Sequence, residues 1–133
     1  MSLTPEGEKE VDRIAEFVAA FNVSVLQISH SGKARAKQTA RIMANHLKPS
    51  SGVKEMKGLN PNDDVTEIVK SLHPASNIML VGHLPFLDNL VSYLVLGTTD
   101  KTIIKFQRSG IVCLDKEEDR FWYIKWALMP DMK

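Results

Sequence analysis

Ile78-Met-Leu-Val-Gly-His83-Leu-Pro85 reads as a short apolar strand, then a glycine, a histidine and a proline that opens a helix. His83 is thereby placed at the tip of a strand and the mouth of a helix. Helix mouths carry free backbone N–H groups and the positive end of the helix dipole, so they attract anions. An earlier stretch, Val25-Leu-Gln-Ile-Ser-His30-Ser-Gly-Lys33-Ala-Arg35, has the same layout. Two such mouths, lined by His, Lys and Arg, point to one phosphate-handling site.

Outward from these two stretches, the chain alternates. Thr4-Pro5-Glu6 is a helix start, with a capping hydroxyl, a proline at the first turn and an acidic residue near the positive dipole end. Val11, Ile14, Ala15, Val18 and Phe21 then form an apolar stripe, and Asn22 is a plausible stop. A strand is expected over 23–29 and a helix over 33–47, with Ala36, Ala40, Met43 and Leu47 inward. A weaker strand over 53–59 carries Lys54, Glu55 and Lys57, as a sheet edge does. Val65, Ile68, Val69 and Leu72 make a short amphipathic helix. The strand over 77–82 carries the strongest central-strand signal, and the helix after Pro85 stops near Gly97. Ile111–Leu114, a polar turn at Asp115–Asp119 and Phe121–Leu128 make a terminal hairpin.

The order α-β-α-β-α-β-α-β-β predicts an α/β fold. It has three layers, α/β/α, around a mostly parallel mixed sheet that ends in a C-terminal β-hairpin. In open α/β sheets ligands sit beyond the carboxyl ends of the strands, which is where both histidine loops fall.

A chain of 133 residues with 44% hydrophobic and 25% charged residues suits one domain with its own core. A net charge of +1 argues against a broad nucleic-acid or membrane surface and leaves room for a small basic pocket. The lone Cys113 excludes an intrachain disulfide, suits a reducing cytosol and reads as a buried strand residue. No apolar run approaches the roughly 18 residues that span a bilayer, and the N-terminus has no signal-peptide pattern. The expectation is a soluble, cytoplasmic protein.

A phosphoryl group needs cationic donors in fixed directions. Arg35, about one helical turn past Ser31, is suited to supply a bidentate fork; its ordinary alternative is a solvated helix face. His83 is suited to donate a hydrogen bond or to act as acid or base near neutrality. His30, Ser31 and Lys33 are further phosphate contacts, with Ser31 also readable as a helix cap and Lys33 as a loop charge. His46 and His73 read as structural or solvated. The dispersed histidines and single cysteine lack paired metal spacing, so no metal and no cofactor are expected. Neither a nucleotide-binding glycine loop nor a serine-hydrolase elbow is present.

These motifs together resemble a family. Ser31-Gly-Lys-Ala-Arg35-Ala-Lys-Gln38-Thr39-Ala40, Val81-Gly-His83-Leu-Pro85 and Leu3-Thr-Pro-Glu-Gly7 are similar, in order, to motifs of the histidine phosphatase superfamily, which has the phosphoglycerate mutase-like fold. The small size and the His-Ser-Gly-Lys variant are most similar to the SixA-type phosphohistidine phosphatases. The resemblance implies phosphoryl transfer to a histidine nucleophile, followed by hydrolysis without metal. It casts Arg35 and His83 as catalytic walls of the phosphoryl pocket. It also implies a phosphorylated substrate, such as a phosphohistidine-bearing signalling protein.

The family's nucleophile stands in an Arg-His-Gly motif at the end of its first strand, and no Arg-His-Gly occurs in this sequence. That strand would precede Leu3 and lie inside the sheet. The expectation is therefore one histidine-phosphatase-like domain over 1–133, N-terminally incomplete, without its nucleophile and inactive as it stands. Buried unpaired backbone groups would each cost about 1–3 kcal/mol. The sheet must then close up, borrow a strand from another molecule, or lose stability. The alternatives are a non-catalytic phosphate or phosphoprotein binding module and a phosphoglycerate-mutase-like sugar-phosphate enzyme.

Overall fold

The computed structural model describes residues 2–118 and 120–131. Met1 and Asp119, the latter part of the expected hairpin turn, lie outside the described residues. Helix α1 spans Pro5–Ala20, and the Thr4 hydroxyl accepts a hydrogen bond from the Gly7 N–H at 3.0 Å. The helix ends where Asn22 takes a left-handed conformation, φ 61°. Strand β1 follows at Gln27–His30, then α2 at Ala34–Leu47 and the short β2 at Val53–Glu55. Next come α3 (Val65–Val69), a 3-10 turn at Pro74–Ser76 and β3 (Ile78–Val81). Helix α4 (Phe86–Leu96), β4 (Ile111–Lys116) and β5 (Trp122–Leu128) complete the order.

Three layers result. Val11, Ile14, Ala15 and Val18 of α1 pack with Ala40, Met43 and Leu47 of α2 against Ile28. On the other face Val65 and Ile68 of α3 pack with Phe86, Leu90 and Leu94 of α4 around Leu59. Side chains alternate across β3: Met79 and Val81 join the first cluster and Leu80 the second. Among the described residues no helix is long and apolar enough to cross a membrane.

The strands form two ladders. Three pair in parallel, in the order β2-β1-β3, with Gln27 opposite Ile78 and His30 opposite Val81. The other two, β4 and β5, pair antiparallel with a bulge at Cys113/Leu114. Among the described residues no pairing joins β3 to β4. A cavity of about 730 Å³ opens between them, lined by β3, β4, Trp122 and Trp126. The sheet has not closed up.

Several local expectations change. Among the described residues the strand expected to be central, β3, pairs on one side only; β1 is the middle of the parallel ladder. An all-apolar run signals covered faces and says nothing about paired edges. Residues 23–26 precede β1 rather than belonging to it, and the exposed Leu26 donates its N–H to the Asn77 carbonyl at 2.8 Å. The strand expected over 53–59 stops at Glu55, and the Met56 N–H bonds the His30 carbonyl at 2.8 Å. Cys113 is half-buried on the cavity wall rather than buried.

The hairpin is fastened by side chains from both helical layers. Glu10 of α1 accepts from the Ser109 hydroxyl at 2.8 Å, and Asp88 of α4 accepts from the Phe106 N–H at 2.9 Å.

Phe86 is fully buried at the start of α4. Phe86→Ala is expected to lower the unfolding free energy by about 3–5 kcal/mol, read from urea denaturation followed by far-UV circular dichroism.

Candidate functional site

Parallel register brings the two loops together. His30 ends β1 opposite Val81, so Ser31 and His83 leave neighbouring strands at the same sheet edge. Their side chains share a hydrogen bond, Ser31 Oγ to His83 Nε2, of 2.6 Å. The Ser31 oxygen also accepts from the Lys33 N–H at a long 3.4 Å. That use of a lone pair leaves the hydroxyl proton free for His83. Burial lowers the His83 pKa below its ordinary value, and the positive charges of Lys33 and Arg35 push it the same way. His83 is therefore neutral near pH 7.

Arg35 lies in the first turn of α2, where backbone amides have no helical carbonyl to bond. Arg35, Ala36, Gly82 and His83 line the carboxyl-edge end of the cavity. A guanidinium, a neutral imidazole and a helix N-terminus thus border one space, an arrangement suited to an anion with several oxygens. Lys33 is exposed, and its side chain adds positive charge near His83.

The five candidates separate here. Arg35 and His83 share the cavity wall, and Ser31 joins through its bond to His83. Ser31 is not the helix cap: the N-cap of α2 is Lys33, which makes no side-chain cap bond. His30 is buried behind the loop, and its Nδ1 accepts from the Gly32 N–H at 3.0 Å. Burial lowers its pKa; Lys37 and Arg41 add to this and Glu55 opposes it. The other two histidines are engaged elsewhere: His46 Nε2 meets Asp12 Oδ1 at 2.7 Å, and His73 Nδ1 accepts from the Ala75 N–H at 3.1 Å. Among the described residues no three His, Cys, Asp or Glu side chains gather as a metal site.

Three contributions were missed from sequence. Gly32 has φ +89°, and a Cβ there would meet the Glu55 carboxyl carbon at 2.7 Å; a Ser-Gly pair after a strand was the available signal. Gln38 Oε1 accepts the Leu3 N–H at 2.7 Å and ties the N-terminal segment to α2. Trp122 and Trp126 line the cavity from β5. The Gln38 bond and the tryptophan placement arise from long-range packing, which no local pattern encodes.

No protein-family model and no curated protein sequence matches the chain. Solved structures do. One, described as the protein histidine phosphatase SixA complexed with tungstate, superposes with a TM-score of 0.85 at 25% identity; the match covers 97% of this chain and 84% of that one. The fold is that of the SixA-type histidine phosphatases. A SixA phosphohistidine phosphatase assigned in Agrobacterium tumefaciens matches with a TM-score of 0.77 at 20% identity, over 97% of this chain and 83% of that one. The SixA-type fold agrees with the expected α/β layering.

His30 and His83 both bind protons less readily in the folded protein. Stability is therefore complete above their ordinary value of about pH 6.5 and declines as pH falls toward the lowered folded values. Urea midpoints are expected to drop between pH 7.5 and pH 5.5 (about one unit either side of that value), and the drop is expected to shrink in a His30→Gln, His83→Gln double variant.

Proposed function

We propose that this site handles phosphoryl groups as a SixA-type phosphohistidine phosphatase pocket does. The observation that carries this reading is the pairing of His83 with Ser31 at 2.6 Å beside Arg35 on one cavity wall. The likeness to a SixA structure complexed with tungstate, an oxyanion shaped like phosphate, supports it.

Each residue has a part in this proposal. Arg35 presents two parallel N–H donors to two phosphoryl oxygens. His83, held by Ser31, hydrogen-bonds a third. Lys33 adds positive potential at the entrance, and the first-turn amides of α2 complete the cradle. His30 acts one step back, holding Gly32 and through it the loop that carries Ser31. The substrate class proposed is a phosphohistidine borne by a partner protein of a signalling relay, in the cytoplasm.

Hydrolysis through a covalent intermediate also needs an attacking atom. His30, His46 and His73 are committed to Gly32, Asp12 and Ala75, and His83 serves as a wall. That engagement favours a second reading, in which the 133 residues alone bind phosphorylated ligands and turn them over little or not at all.

Tungstate titration by calorimetry tests the pocket. Charge-assisted hydrogen bonds are worth about 1.5–3 kcal/mol, so Arg35→Ala is expected to weaken binding by roughly 10- to 100-fold. His83→Ala is expected to weaken it as well. Unchanged affinity in both variants would overturn the pocket. Release of phosphate from a phosphohistidine peptide then separates the two readings: turnover supports the phosphatase, and binding without turnover supports the binding module.

A further inference from the structure

The segment that leads into β4 also borders the cavity. Gln107-Arg108-Ser109-Gly110 is a tight turn, closed by a hydrogen bond from the Gly110 N–H to the Gln107 carbonyl at 3.0 Å. Ser109, at its third position, has φ 65°, a left-handed conformation that such a turn ordinarily gives to glycine or asparagine. Three other parts of the fold hold the turn in place. The Phe106 N–H, just before it, donates to Asp88 in the first turn of α4 at 2.9 Å. The Gln107 side-chain amide and the Asp131 backbone exchange two bonds, of 2.7 and 2.8 Å. The Ser109 hydroxyl donates to Glu10 of α1 at 2.8 Å.

Arg108 is the exception within this fastened turn. Among the described residues its side chain makes no hydrogen bond and no ion pair; the ion pairs there are His46–Asp12 and Lys70–Glu67. The carboxylates that hold the turn, Glu10 and Asp88, are engaged by Ser109 and Phe106. Arg108 is exposed and lines the same cavity as Arg35 and His83. The tie to Asp88 fixes its level, because α4 starts directly beyond the His83 loop. His83 follows β3 and Arg108 precedes β4, so the two stand at the same end of the cavity on opposite sides of its mouth. Lys33 and Arg35 are the positive charges that act on His83, and Arg108 is not among them. One oxyanion held by Arg35 and His83 therefore leaves Arg108 for a different group.

We propose that Arg108 is a specificity-determining residue: across the cavity mouth from Arg35 and His83, it binds a carboxylate that the phosphorylated ligand carries near its phosphoryl group. The favoured ligand is then an acidic phosphorylated segment of a partner protein, which offers two anions at once. A guanidinium presents a planar fork that matches a carboxylate. The fastened turn holds the backbone of Arg108 before the ligand arrives, which lowers the ordering cost of binding. This proposal rests on the phosphate-pocket reading above and adds a second contact to it.

Calorimetry on the 133-residue chain tests it with three peptides. Each carries a stable phosphonate analogue of phosphohistidine, flanked by glutamates, by glutamines or by lysines. The glutamate peptide is expected to bind about fivefold more tightly than the glutamine peptide, as one exposed ion pair allows. Arg108→Gln is expected to make the two equal. Arg108→Glu is expected to move the preference to the lysine peptide, a reversal that a merely structural role for Arg108 would not produce. The Arg108 side chain has no partner to lose, so both variants are expected to keep the far-UV circular dichroism of the unaltered chain. The proposal is overturned if the unaltered chain shows no preference for the glutamate peptide, a result that needs no variant to fold. It is equally overturned if the preference survives in both variants. Tungstate is titrated alongside. Failure of tungstate to bind the unaltered chain removes the phosphate pocket and this proposal with it. Tungstate binding without a peptide preference that follows the charge at position 108 removes the Arg108 assignment alone.

Discussion

The parallel pairing of β1 with β3 is the constraint on which the rest depends. Four residues on each side hold His30 level with Val81. That register alone brings Ser31 and His83 within hydrogen-bonding distance, although 52 positions separate them. A slip by one residue would turn every side chain to the opposite face. It would carry Met79 and Val81 out of one core and Leu80 out of the other. The same apolar alternation that builds the two cores therefore fixes the geometry of the polar site.

Electrostatics at that site follow from its position. The loops leave the sheet where helix N-termini begin, so positive potential collects there without any large net charge on the chain. His83 stays neutral because it is partly buried and faces two cations. A neutral imidazole in such surroundings directs a hydrogen bond without adding a further charge to be desolvated. Behind it His30 is neutral for a related reason and holds the turn at Gly32. The hairpin is set apart from this arrangement. Glu10 and Asp88 grip its approach from opposite layers, and among the described residues the hairpin is held by the helical layers and not through pairing with the parallel ladder.

Much of this was legible in the sequence, for physical reasons that differ between parts. The stripe of Val11, Ile14 and Val18 and the cap at Thr4 are local, and they placed α1 within two residues of its observed end. The strand-glycine-histidine-proline layout placed His83 at a helix mouth, and Arg35 followed from its position in the first turn of α2. His30, Ser31 and Lys33 read together as further phosphate contacts, and the sequence does not rank His30 against Ser31. Which of two adjacent side chains faces the pocket depends on the turn at Gly32, where a side chain would collide with Glu55 from another strand. The edge position of β3 was not legible, since Ile-Met-Leu-Val records covered faces and not neighbouring strands. Ties such as Leu3 to Gln38 join polar residues far apart in the chain and leave no periodic trace.

The central claim is that an oxyanion sits against His83 and Arg35. Histidine-selective carbon-proton NMR during a tungstate titration tests it most directly, because the chain has four histidines. The His83 ring resonances should move and saturate, while His46 and His73, held at Asp12 and Ala75, stay in place. Saturating tungstate that leaves His83 unmoved, or that shifts His46 and His73 as much, would contradict it.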